Sequence, residues 1–148
     1  MRLTVIVDNN TYIDQYHLGV PALCYLIEDQ GSTARNGVTS PDMLHEDSAL
    51  VYEGSEGIFI ITGCSHSGIC NITAHAMEVC GCTKVTGIIG GFHLFEENAQ
   101  TTETVTWLRT LDLPAIHPCH CTSFAVKAAI NRHIPVVEVG VGLKLEIP

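Results

Sequence analysis

Three histidines carry the most specific chemistry in this sequence. His66 lies in Thr62-Gly63-Cys64-Ser65-His66-Ser67-Gly68, His93 in Gly90-Gly91-Phe92-His93-Leu94 and His120 in Pro118-Cys119-His120-Cys121-Thr122, each 27 residues from the next. Neutral imidazole is the commonest protein ligand for zinc and also suits iron, copper and nickel, while flanking glycines let the backbone turn sharply. Three imidazoles converging on one point can hold a metal with a position left open, which is the catalytic rather than the structural arrangement. Taken singly, each reads more readily as a hydrogen-bonded turn residue. Recurrence at three equivalent places brings the metal reading level with that one. The even spacing is what βα units of similar length produce, and the segments share little else, so no internal repeat is inferred.

The remaining candidates are weaker. His75 and His133 fall in helical stretches and His117 precedes Pro118, so all three read as structural or surface residues; His17 and His45 fall in loop-like stretches without an assigned role. Cys64, Cys119 and Cys121 flank the proposed site and could add thiolate ligands or redox chemistry, but cysteine also packs as a small apolar residue, which is the favoured reading. Cys80-Gly81-Cys82 could be half of a zinc ribbon, yet no second Cys-x₂-Cys pair accompanies it.

The elements that must position these histidines are set by pattern. Two strands are expected at 3–7 and 23–27, and residues 30–47 lack a sustained period and read as a long loop. A hairpin is expected from 49–52 and 58–61 around Glu53-Gly54-Ser55-Glu56-Gly57. Strand-then-helix units come next at 58–62 with 69–80, 84–89 with 99–111 and 115–117 with 123–133, and two last strands at 135–139 and 143–147. Alternating strands and helices behind an antiparallel start predict an α/β (α+β) fold with helices covering a sheet. In such sheets the loops after the carboxyl ends of the strands gather on one edge, where ligands bind. His66, His93 and His120 all occupy such loops.

Composition sets the outer bounds. A chain of 148 residues with 46% hydrophobic and 16% charged residues is the size of one domain, 1–148, and too apolar for disorder. A formal net charge of −9 argues against nucleic acid and anionic membrane surfaces as partners. Its apolar runs are too interrupted for a membrane span, and Met1-Arg2-Leu3-Thr4-Val5-Ile6-Val7-Asp8 lacks an export-signal pattern. Seven cysteines, an odd number with two Cys-x-Cys pairs, fit a reducing cytoplasm better than a disulfide framework.

The three histidine motifs, together with the closing Val139-Gly140-Val141-Gly142 and the early Val5-Ile6-Val7-Asp8-Asn9 and Leu26-Ile27-Glu28-Asp29, resemble the metallo-β-lactamase-fold metal-dependent hydrolases. The branch resembled is that of dihydropterin-methyl-ribofuranosylaminobenzene-phosphate synthase-like proteins, over about residues 2–29 and 46–147. The resemblance implies an αββα sandwich with a metal site at the edge between its sheets. His66 would match the family's single histidine after the first-metal pair, His120 its late second-metal histidine, and His93 a ligand or substrate-contacting group. The family's His-x-His-x-Asp-His motif is absent, and no His-x-His occurs in the chain. The sandwich is therefore expected to be incomplete in its N-terminal half, with residues 30–47 at an apparent internal deletion between N-terminal strands (1–29) and a C-terminal half (48–148).

Motifs and resemblance together predict a metal-dependent hydrolase with reduced or no activity. It would act on a small molecule and use a divalent metal ion, zinc first and manganese or iron as alternatives, at His66, His93 and His120. The alternative is a catalytically inactive binding or oligomerisation module, a homodimer covering an exposed sheet face. A redox or thiolate-metal protein built on the Cys-x-Cys pairs ranks last.

Overall fold

The computed structural model describes residues 2–4, 32–35, 38–41 and 49–147. The expected strand at 23–27, most of that at 3–7, and both His17 and His45 lie outside them. The core element is a four-stranded sheet in the order β4-β5-β6-β7, formed by β4 (Ala49–Gly54), β5 (Gly57–Thr62), β6 (Val85–Gly91) and β7 (His117–Cys119). β4 runs antiparallel to β5, with Gly54 opposite Gly57 across a two-residue turn. β5, β6 and β7 are mutually parallel. Parallel neighbours require crossovers, which α1 (Ile69–Cys80) and α2 (Ala99–Arg109) supply; α3 (Phe124–Asn131) comes after β7.

Alternation along β5 sends its side chains to two different cores. Ile58 and Ile60 point toward the helices and join Ile69, Ile72, Ile88, Leu108, Val126 and Ile130. Phe59 packs on the opposite face with Ile89, Cys119, Val139 and Ile147. Leu143 and Leu145 pack against that second cluster, and β8 (Lys144–Glu146) pairs antiparallel with β1 (Arg2–Thr4). Both faces of the central sheet therefore carry apolar packing, which explains why 58–61 reads as an unbroken hydrophobic run.

Helix ends obey local chemistry. The Gly81 N–H donates to the Glu78 carbonyl with φ at 58°, and the Cys82 N–H donates to that of Met77, a glycine-terminated stop for α1. Asn98 caps α2 by accepting from the Thr101 N–H at 3.0 Å, and Ser123 caps α3 by accepting from the Val126 N–H at 3.2 Å.

Three sequence expectations are corrected. The 30–47 stretch is not wholly a loop: β2 (Ser32–Arg35) and β3 (Val38–Pro41) pair antiparallel, with Arg35 opposite Val38. The sequence carries a signal for it, since an Asn36-Gly37 pair is a strong short-range marker of a two-residue hairpin turn. The strand expected at 135–139 reduces to one bridge between Val136 and Ile116, and the strand expected at 115–117 is β7, two residues later. Pro118 inside β7 is tolerated because β7 ends the strand order and the missing N–H faces away from the ladder.

Candidate functional site

β5, β6 and β7 end side by side, and the three histidine loops leave from those ends. The loops are bound to one another by main-chain hydrogen bonds. The Gly91 N–H donates to the Gly63 carbonyl at 2.7 Å, the Leu94 N–H to the Cys121 carbonyl at 3.2 Å, and the Ser123 N–H to the Leu94 carbonyl at 3.0 Å. Thr122 acts as a buried clamp: its hydroxyl accepts from the Phe92 N–H at 3.0 Å and donates to the Cys119 carbonyl at 3.1 Å. A further hydroxyl pair, Thr62 Oγ1 and Ser65 Oγ at 3.1 Å, holds the start of the His66 loop.

This bracing sustains unusual backbone. Ser65, His93 and His120 have φ of 56°, 50° and 49°, a left-handed conformation that costs non-glycine residues energy. Such strain clusters where surrounding structure fixes a side chain for a purpose. The result at His93 is direct: its ring lies 4.4 Å from that of His66, edge to face at 72°, and 5.0 Å from that of Phe95. Both imidazoles are exposed, as is Phe95.

Of the three expected metal residues, the structure brings the His66 and His93 rings together and places His120 on the adjoining loop. Among the described residues, no group of three or more His, Cys, Asp or Glu side chains is arranged to hold a metal ion. The imidazoles fit zinc in kind, but the described donors fall short of a catalytic ligand set in number.

The fold that carries this sheet edge has a counterpart among solved structures. A metal-dependent hydrolase of the beta-lactamase superfamily, known from its crystal structure, superposes with a TM-score of 0.67 at 26% identity, covering 89% of this chain and 59% of that one. The chain carries a metallo-β-lactamase-type fold. A 7,8-dihydropterin-6-methyl-4-(beta-D-ribofuranosyl)-aminobenzene-5'-phosphate synthase of Methanocaldococcus jannaschii is 33% identical over 90 residues, 60% of this chain and 31% of the relative. An uncharacterised protein of the same organism is 32% identical over 99 residues, 66% of this chain and 36% of its own. The chain thus spans about a third of the curated relatives it matches. No family model matches the sequence.

Within this metallo-β-lactamase-type sheet edge, sequence reasoning missed Phe95 and the Thr122 clamp. Phe95 had a signal, an aromatic two residues after His93, whereas Thr122 is recognisable only once the loops are seen to meet. Cys121 also sits here: burial, reinforced by the neighbouring Cys64 and opposed by a hydrogen bond from the His93 backbone, pushes its thiol up to about 12. Burial thus works against the thiolate form at this position.

His75 lies in α1 as expected, with Nδ1 3.9 Å from a Glu78 carboxylate oxygen, whereas His133 falls in the turn just after α3 ends at Asn131. His117 is 8% exposed, with Nδ1 buried and unpartnered and its ring 6.1 Å from that of Phe59. It borders a cavity of about 780 Å³ at the amino ends of β5 and β6, away from the His66–His93 edge. Burial lowers its pKa from the ordinary value of 6.5. The unfolded chain therefore takes up a proton near pH 6.5 that the folded chain resists, so stability is unaffected above that pH and falls as pH drops below it. Urea melts at pH 7.5 and 5.5 should show the loss, at most about 1.4 kcal/mol per pH unit from this group. The loss should shrink in His117→Phe, and an unchanged pH dependence in that variant would remove His117 as its source.

Among the described residues, no helix is long and apolar enough to cross a membrane.

Proposed function

We propose that this chain works as a metal-dependent hydrolase of the metallo-β-lactamase superfamily with reduced or no activity, directed at a small molecule in the cytoplasm. The observation that carries this reading is the His66–His93 ring pair at the carboxyl edge of a metallo-β-lactamase-type sheet. His66, His93 and His120 are its proposed metal residues, and zinc its proposed ion, with manganese or iron as alternatives. The shortfall in donors is why reduced or absent activity belongs to the proposal.

The test is metal binding by chain purified without a histidine tag. Zinc titration is expected to saturate near one ion per chain, and His66→Ala/His93→Ala to weaken binding by about tenfold or more. Retention of less than about one ion per ten chains after zinc or manganese is added rejects the metal site. Turnover of a phosphodiester or lactone probe then separates reduced from absent activity.

A second reading, an inactive binding or oligomerisation module, draws on the exposure of Phe95 at 56% and Phe124 at 85%. Large apolar side chains left in water favour a covering partner. This reading expects a homodimer by sedimentation and an unaltered fold in His66→Ala/His120→Ala.

A further inference from the structure

Two cysteines at the same edge play no part in the proposed metal site. Cys64 lies just after β5 and Cys121 just after β7, yet the chain brings them together across 57 positions. The Cys121 thiol donates to the Cys64 carbonyl oxygen at 3.3 Å. Gly91 makes the approach feasible: a Cβ there would lie 2.5 Å from Cys121 Sγ and 3.2 Å from Cys64 Cα. The absent side chain is the space in which the two cysteines meet. Both are partly accessible, unlike the buried Cys119. Adjacent thiols held by separate loops on a braced edge match the arrangement of a reversible disulfide, which in a reducing compartment is characteristically a transient, redox-responsive one.

We infer that Cys64 and Cys121 form a disulfide on exposure to hydrogen peroxide, joining the loop of His66 to the loop of His120. Cys121 Sγ is wedged over Gly91, so Cys64 is the sulfur that meets the oxidant. Its thiolate attacks one peroxide oxygen, the O–O bond breaks, and the departing hydroxide leaves as water after taking up a proton, with Cys64 now a sulfenic acid. Cys121 sulfur then attacks Cys64 sulfur, the S–OH bond breaks, and the hydroxide takes the Cys121 proton to leave as a second water. Two electrons from the two sulfurs have reduced one peroxide.

The experiment treats reduced, tag-free chain with stoichiometric hydrogen peroxide, alkylates the remaining thiols and maps peptides by mass spectrometry. A loss of about 2 Da per chain is expected, with Cys64 and Cys121 in one crosslinked species that dithiothreitol reverses. The crosslink should vanish in Cys64→Ser and in Cys121→Ser, and persist in Cys70→Ser and Cys119→Ser, with all four variants checked for native circular dichroism. Should either of the first two variants prove unfolded, persistence of the crosslink in the other two, located by fragmentation to 64 and 121, is the deciding result. A disulfide pairing other cysteines overturns the inference, as does oxidation of Cys64 to sulfinic acid with Cys121 still alkylated.

Discussion

Gly90→Ala is expected to cost about 2–5 kcal/mol of folding stability, a large share of the roughly 5–15 kcal/mol that holds a domain of this size together. Two penalties combine. Gly90 has φ of 148°, a conformation that side-chain-bearing residues rarely adopt. A Cβ there would also lie 2.3 Å from the Thr62 carbonyl oxygen and 2.5 Å from Thr62 Cγ2. Thr62 ends β5 and is 1% exposed, so it has no room to withdraw. The strain is relieved only by moving the end of β6 away from β5, and that end leads directly into the His93 loop. Zinc affinity, where measured in the wild-type chain, should therefore fall along with stability. Gly81→Ala is the control: Gly81 has φ of 58° but nothing within 4 Å of its missing Cβ, so only the backbone cost of about 1–2 kcal/mol applies. Urea unfolding monitored by circular dichroism compares the two. Equal midpoints would show that the contact with Thr62 is not what demands glycine at position 90.

The same geometry explains which parts of this molecule are legible in its sequence. α1 is readable to its ends because Gly68 and Gly81 bracket an apolar periodicity, and the β4–β5 hairpin because its turn residues stand between two short β-rich apolar runs. The run 135–139 misleads because β-branched residues report burial, and Val139 is indeed buried, but ladder pairing depends on what lies alongside. At the site, the placement of all three histidines after strand ends is written in the order of elements. Their convergence is not. Where the ring of His93 points is fixed by a left-handed backbone at that residue and by hydrogen bonds to residues about 30 positions away, and no local pattern encodes either. The ligand count is likewise a tertiary quantity: eight histidines in the sequence reduce to one adjoining pair with ring contact among the described site residues.

Phe92→Ala should be the most damaging single truncation in the described core, at about 3–5 kcal/mol. Phe92 is 1% exposed and heads the fully buried side chains by volume. It belongs to the cluster that joins the central sheet to the helices, together with Leu94, Val126 and Ile130. Removing the ring discards its transfer free energy and leaves a cavity that braced neighbours cannot close, since the backbone on either side is hydrogen-bonded in place. Its N–H is held by Thr122 and the Leu94 N–H by Cys121, so the backbone on both sides of the exposed His93 is tied to the His120 loop. Phe92 is thus the buried chain neighbour of the residue whose ring meets that of His66, which links the core to the site. Phe92→Leu keeps most of the volume and should recover more than half of the lost stability. Denaturant midpoints measure this series, and zinc affinity of the folded fraction provides the link to the site. A fall in zinc affinity in Phe92→Leu, where the fold survives, is expected if the ring positions His93; wild-type affinity in that variant would confine Phe92 to packing.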